Sequence, residues 1–205
     1  MVSWVLIDRA LMLCCFQVDF SYVPFGNAYF NVDGCPKSTS YVHADRMCWN
    51  AKCANATSAP IGCFSGDIVC QHGPDECLGN RIELCAQKQT TSLIKAAQFV
   101  VCFEGVGHSV ASAGPECAKQ VGIGPWKNIN ECAAAGGDGD ALVAAAAKTT
   151  ADLNPVHQFT PWFILNGKAL GANWSPLLPK ICNAYTGPKP AGCSSVVDVP
   201  PLLSY

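Results

Sequence analysis

Three cysteines, a histidine and three acids share the stretch Cys70-Gln71-His72-Gly73-Pro74-Asp75-Glu76-Cys77-Leu78-Gly79-Asn80-Arg81-Ile82-Glu83-Leu84-Cys85. Thiols beside an imidazole and carboxylates admit two chemistries, metal ligation and sulfur redox. The spacing of Cys70, His72, Cys77 and Cys85 lacks the short paired knuckles of structural zinc sites, so disulfides are the expected use and no metal is expected. Gly73-Pro74 forces a turn, because Gly accepts backbone angles that other residues avoid and Pro fixes φ while removing a donor. That turn brings Cys70 and Cys77 together, and a short helix is expected from about Glu76 to Cys85. His72 is expected to hydrogen-bond within its own loop. His43, His108 and His157 have no sequence partner that suggests catalysis and read as ordinary surface or core residues.

The rest of the chain sets the conditions under which that stretch works. Its fourteen cysteines run from Cys14 to Cys193, with no two at i and i+3. Cysteine at that density points to an oxidising lumen. Two sequons agree with export, Asn55-Ala56-Thr57 and Asn173-Trp174-Ser175, the second made a poorer acceptor by Pro176. Half of the 205 residues are hydrophobic, 14% are charged and the net charge is -2. Disorder and nucleic-acid binding are therefore disfavoured, and one domain is the expectation. No G-x-S-x-G elbow, P-loop or H-E-x-x-H occurs, which disfavours hydrolase, nucleotide and zincin chemistry. Met1 to Phe16 is apolar but broken by Asp8 and Arg9. It reads as a core-packing helix rather than a convincing signal peptide, and no apolar run reaches the length of a membrane span. In the adjacent pair Cys14-Cys15, each cysteine is expected to bond elsewhere or stay buried.

The elements expected to position the cysteine stretch follow in order. Phe20 to Phe25 reads as a strand closed by Gly26-Asn27. Asn31 to Val69 sustains no helical or alternating period, and the disulfides of Cys35, Cys48, Cys53 and Cys63 are expected to stand in for a hydrophobic core there. Thr91-Ser92 can cap a helix that ends at Gly105. Cys102, Cys117 and Cys132 belong to a helical cap pinned by disulfides, with short pieces punctuated by Gly114-Pro115 and Gly124-Pro125. Asp140 is placed to cap an Ala-rich helix from Ala141 to about Leu153. Gln158 to Leu170 reads as a buried strand, a type I′ turn at Asn166-Gly167 and a return strand. A last helix starts at Ser175-Pro176 and runs through Tyr185, and Ser194 to Tyr205 looks like an extended tail.

As a pattern, the cysteine stretch closely resembles C-Q-H-G-x-x-E-C-x-x-N-x-x-x-x-C, the motif of the gamma-interferon-inducible lysosomal thiol reductase (GILT) family. Cys70, Gln71, His72, Gly73, Glu76, Cys77, Asn80 and Cys85 fill all of its fixed positions. Val23-Pro24-Phe25-Gly26-Asn27-Ala28 is similar to a second family sequence, and Thr160-Pro161 resembles the cis-proline loop of thioredoxin-fold proteins. The resemblance covers roughly residues 19–193. It implies an α/β, thioredoxin-like fold that here lacks or alters its first strand. The whole of 1–205 would be a single domain with a Cys-rich insertion at 31–85, a helical cap at 86–153 and a tail at 194–205. The implied activity is reduction of protein disulfides in an acidic lumenal compartment, lysosomal or secreted, with disulfide-bonded proteins as substrates and no cofactor.

In that family catalysis belongs to a C-x-x-C dithiol at a helix N-terminus, where the leading thiol is acidified and attacks the substrate disulfide. No such pair occurs here, and Cys14 and Cys15 stand in the wrong register, so no catalytic residue is assigned. Pro161 inherits the cis-proline role. Two explanations stay open: the chain begins at an internal methionine or from a different first exon, or it kept the scaffold and lost the redox centre, serving as a disulfide-stabilised binding or structural protein. Either way the sequence as it stands should have little or no dithiol reductase activity.

Overall fold

The computed structural model describes residues 19–54, 58–105 and 110–194. Its elements in chain order are β1 (Tyr29–Phe30), α1 (His43–Cys53), β2 (Ile68–Val69), α2 (Pro74–Lys88), α3 (Leu93–Gly105), α4 (Val110–Val121), α5 (Trp126–Ala133), α6 (Gly139–Ala151), β3 (Ile164–Leu165), β4 (Lys168–Ala169), a 3-10 turn (Gly171–Asn173), α7 (Leu177–Ala184) and α8 (Ala191–Ser194). Among the described residues the strands form two separate antiparallel pairs, β1 with β2 and β3 with β4. The arrangement is a disulfide-rich α/β one in which helices dominate.

The hub is α2. Gly73, at φ 94°, makes the left-handed turn that starts it, Pro74 takes the first helical position, and Asp75 and Glu76 face the positive end of the helix dipole while Lys88 faces the negative end. Two opposed faces of this helix are apolar. Leu84 points into one core with Phe25, Tyr29, Phe30, Trp49, Val69, Val143 and Ala147, while Ile82, Cys85 and Ala86 point into a second with Phe99, Phe103, Cys117, Ile123 and Ile129. The first core is therefore made by the turn before β1, by α1 and by α6; the second is made by α3, α4 and α5. Half-buried Leu142 on α6 touches both.

Among the described residues six disulfides fasten this frame: Cys35–Cys48, Cys53–Cys63, Cys70–Cys77, Cys85–Cys132, Cys102–Cys117 and Cys182–Cys193. Every cysteine among the described residues is bridged; Cys14 and Cys15 lie outside them, as do the apolar N-terminal stretch, His108 and the tail beyond Ser194.

Several expectations are corrected. Residues 20–25 are not a strand. Residues 24–27 turn instead, with the Ala28 amide donating to the Phe25 carbonyl, and Tyr22 and Phe25 carbonyls are taken by side chains of Gln87 and Asn80. Pro24 has no amide to give a ladder. The segment 31–69 contains α1, and its disulfides supplement a core rather than replace one, since Trp49, Cys53, Cys63 and Val32 are buried. Cys117 and Cys132 sit on α4 and α5, with Pro115 accommodated inside α4, rather than in short broken pieces. The Ala-rich helix starts at Gly139, so Asp140 lies inside its first turn and pairs with Arg81 at 2.9 Å. The hairpin forms with Asn166 and Gly167 at φ 49° and 77°, as a type I′ turn requires, but Ile164 and Leu165 are only half-buried.

Close approach governs one contact in the second core. A Cβ built on Gly114 would stand 2.1 Å from the Trp126 ring. Gly114→Ala should therefore displace that indole and cost about 1–3 kcal/mol by overpacking. Urea unfolding followed at the far-UV helix signal checks this, and an unchanged midpoint would show that α4 and α5 can separate freely.

Candidate functional site

Three loops distant in sequence meet at the N-terminal end of α2. A Cβ on Gly26, which sits at φ 57°, would lie 3.6 Å from Thr160 Oγ1 and 4.0 Å from Glu76 Oε1. The turn at 24–27, the loop opening α2 and the loop carrying Pro161 thus share one small surface. The Thr160–Pro161 peptide is cis, as are Asn154–Pro155 and Ser175–Pro176.

Each motif residue has an identifiable task in building this surface. Cys70 and Cys77 are bonded to each other, their Cα atoms 5.6 Å apart, closing the loop around Gly73. Glu76 Oε2 accepts the backbone N–H of His72 at 2.7 Å and lies 2.6 Å from the same residue's Nδ1, while its other oxygen faces Gly26. Gln71 Oε1 accepts from Asn27 Nδ2 at 2.7 Å, and Asn80 Nδ2 donates to the Phe25 carbonyl at 3.4 Å. Cys85 is fully buried and bonds Cys132, tying α2 to α5. Cys70, Cys77 and Cys85 are thereby committed to sulfur–sulfur bonds and are not free to ligate a metal. The motif spends its sulfur on structure and leaves His72 and Glu76 as the polar pair at the surface.

Behind the site lies a polar cluster that no sequence motif marks. Arg46 on α1 is 2% exposed. Its Nη1 donates to Asn50 Oδ1, its Nη2 donates to His157 Nδ1 at 3.2 Å, and its guanidinium carbon stands 4.6 Å from the centroid of the Trp49 ring. Burial, reinforced by the Arg46 charge, pushes the His157 imidazole down to about 4, and burial lowers Arg46 to about 10. Tyr41 connects the two regions electrostatically: its phenol, raised first by burial, is pulled down by Arg46 and pushed up by Glu76.

On the far side of α2, Glu83 is 1% exposed and accepts the Tyr22 hydroxyl at 2.8 Å. Burial holds its carboxyl well above the usual range, and the Glu104 carboxylate pushes it the same way. Tyr22 is raised too, by burial first and by Glu83 second. Neither cluster has a local signature, since Arg46 and His157 are 111 residues apart and Tyr22 and Glu83 are 61 apart. A polar residue on the buried side of a helix is the one sequence signal that could have flagged them.

Of the proposed glycan acceptors, Asn173 is exposed at the end of the 3-10 turn and Asn55 lies outside the described residues. No described helix is long and apolar enough to cross a membrane.

Comparison with known proteins bears on the same segments. The profile of the family described as gamma interferon inducible lysosomal thiol reductase matches residues 34–121. The chain is 35% identical over 144 residues to the gamma-interferon-inducible lysosomal thiol reductase of Mus musculus, covering 68% of this chain and 55% of that protein. It is 32% identical over 130 residues to the protein of the same name from Carassius auratus, covering 62% and 51%. The gamma-interferon-responsive lysosomal thiol protein of Arabidopsis thaliana is 34% identical over 126 residues, covering 58% of this chain and 50% of its own length. The chain thus spans about half the length of the curated relatives it matches. With the family profile matched over 34–121 and relatives at 32–35% identity in two animals and a plant, the chain belongs to the gamma interferon inducible lysosomal thiol reductase family.

Proposed function

We propose that this chain is the scaffold of a thioredoxin-like, GILT-type thiol–disulfide oxidoreductase, built to hold disulfide-bonded protein substrates in an acidic lumen, lysosomal or secreted. The observation that carries the reading is the meeting of Gly26, Glu76 and Thr160, one residue from each of the three segments that resemble the family or its fold. In such chemistry an attacking thiolate forms a mixed disulfide with one substrate sulfur and expels the other as a thiolate; a second cysteine then attacks the mixed disulfide, releasing reduced substrate and leaving the dithiol oxidised. The residues in hand supply no such dithiol. What they can supply is the bed: Pro161 and its neighbours as the edge along which an extended substrate lies, and the His72–Glu76 pair as polar groups beside it.

The 205 residues alone are accordingly expected not to turn over. Insulin reduction at acidic pH tests this on the present chain and on one extended upstream to include a dithiol. Background rate in the first and turnover in the second is the expected result. Turnover by the present chain would sink the assignment of the missing dithiol. Inactivity of both would favour a non-catalytic, disulfide-stabilised binding or structural protein, a reading supported by the bridging of every described cysteine.

A further inference from the structure

Among the described residues Arg46 belongs to no ion pair, and its Nε has no hydrogen-bond partner. Burying a guanidinium without an acid is costly, so its remaining contacts carry unusual weight. Nη1 is taken by Asn50, and both Nη2 and Asn50 reach one residue of the loop that bears Pro161. Arg46 Nη2 holds the His157 ring at 3.2 Å, and Asn50 Nδ2, one helical turn along α1, donates to the His157 carbonyl at 3.2 Å. His157 is thus gripped at both side chain and backbone.

The rest of the loop is folded around that grip. The Trp162 ring stands edge-on to His157 at 6.2 Å and to Phe159 at 5.0 Å, and its Nε1 donates to the Pro155 carbonyl at 3.3 Å. Thr160 and Pro161 lie between these anchors, with Thr160 against Gly26, whose other neighbour is Glu76. The helix that does the gripping is itself held by disulfides at Cys48 and Cys53, on either side of Asn50. A rigid element therefore sets the loop's position through a fork whose geometry a lysine cannot reproduce.

We propose that Arg46, acting with Asn50 through His157, is the positioning residue for the Thr160–Pro161 loop and thereby sets the affinity of this surface for an extended polypeptide. The inference rests on the reading of Pro161 as the substrate-pairing position given above. It is tested on the 205-residue chain by amide hydrogen exchange of residues 157–163 and by the affinity for reduced, alkylated insulin B chain, an extended probe with no disulfide to exchange. Arg46→Met is expected to speed exchange in the loop at least ten-fold while α3 and α4 keep their protection, and to weaken probe binding about ten-fold. Asn50→Ala, which removes the carbonyl grip and leaves the cation, should show the same pattern at smaller amplitude and serves if Arg46→Met does not fold. Unchanged loop exchange, or an equal rise in α3 and α4, would overturn the positioning role, as would wild-type probe affinity in a variant whose loop has loosened. Pro161→Ala separates the two layers: if it leaves probe binding intact while the Arg46 exchange effect stands, the substrate-pairing reading of Pro161 fails and the positioning of the loop does not.

Discussion

Replacing Cys85 and Cys132 together by alanine is expected to cost more stability than losing any other bridge. The pair spans 47 residues, against 7 to 15 for the other five. A cross-link stabilises chiefly by restricting the unfolded chain, and on loop entropy the 47-residue span of this one is worth about 4 kcal/mol, compared with about 2.5 kcal/mol for the 7-residue span of Cys70–Cys77. The bridge also has a local role: it joins the hub helix α2 to α5, and Cys85 is fully buried among Ile82, Phe99 and Ile129. Denaturant unfolding under non-reducing conditions should show a lower midpoint for the Cys85/Cys132 double variant than for a Cys70/Cys77 one. A reversed order would mean that native contacts, rather than the length of the closed loop, decide what each bridge contributes.

The second large effect concerns Glu83. Its folded-state carboxyl is raised above the ordinary value by burial and by Glu104, so the folded chain holds a proton that the unfolded chain has already released. Stability tied to that proton is fully present below the ordinary carboxylate pKa and is lost as pH rises through the folded value. Glu83→Gln keeps the shape and a polar end for the Tyr22 hydroxyl but cannot ionise. It should leave the melting temperature at acid pH nearly unchanged and raise it at neutral pH, by about 2–4 °C for each kcal/mol recovered in a chain of this size. Glu104→Gln, which takes away the like charge, should move the neutral-pH value in the same direction by less. Thermal unfolding at pH 4 and pH 7 reads both. An equal shift at the two pH values would show that the folded-state carboxyl is not raised above its unfolded value. Through Glu83 acid favours the folded state, whereas the lowered imidazole of His157 acts in the opposite direction.

What the sequence disclosed, and what it hid, divides along the range of the interactions. The hairpin at Asn166-Gly167, the turn at Gly73-Pro74, the cap of α3 by Ser92 and a hydrogen bond of His72 within its own loop all depend on residues within a few positions of each other. Local backbone chemistry decides such features. Helix α1 escaped notice because its inner face carries Asp45, Arg46 and Asn50 beside Trp49, and a buried polar face does not register as hydrophobic periodicity. The partners that make those burials tolerable, Ser38 for Asp45 and His157 for Arg46, become apparent only once the chain is folded. The stretch 20–25 misled for a related reason: it has strand composition, but its carbonyls are claimed by Gln87 and Asn80 of α2. The motif residues were legible as a set, whereas their meeting with Thr160 across more than eighty residues was not.

The short reach of most of the bridges also bears on how the molecule is made. Five of the six join cysteines no more than 15 residues apart. Loops of that length close in well under a microsecond, while synthesis adds only about 5–20 residues per second, so each nearby partner is within reach as soon as it emerges. Among the described cysteines only Cys85 must wait for a distant mate, carried in by the helices that follow it. Oxidative maturation of the described cysteines is thus written largely in neighbouring pairs, and the Cys85–Cys132 crosslink cannot close until α3, α4 and α5 have been made.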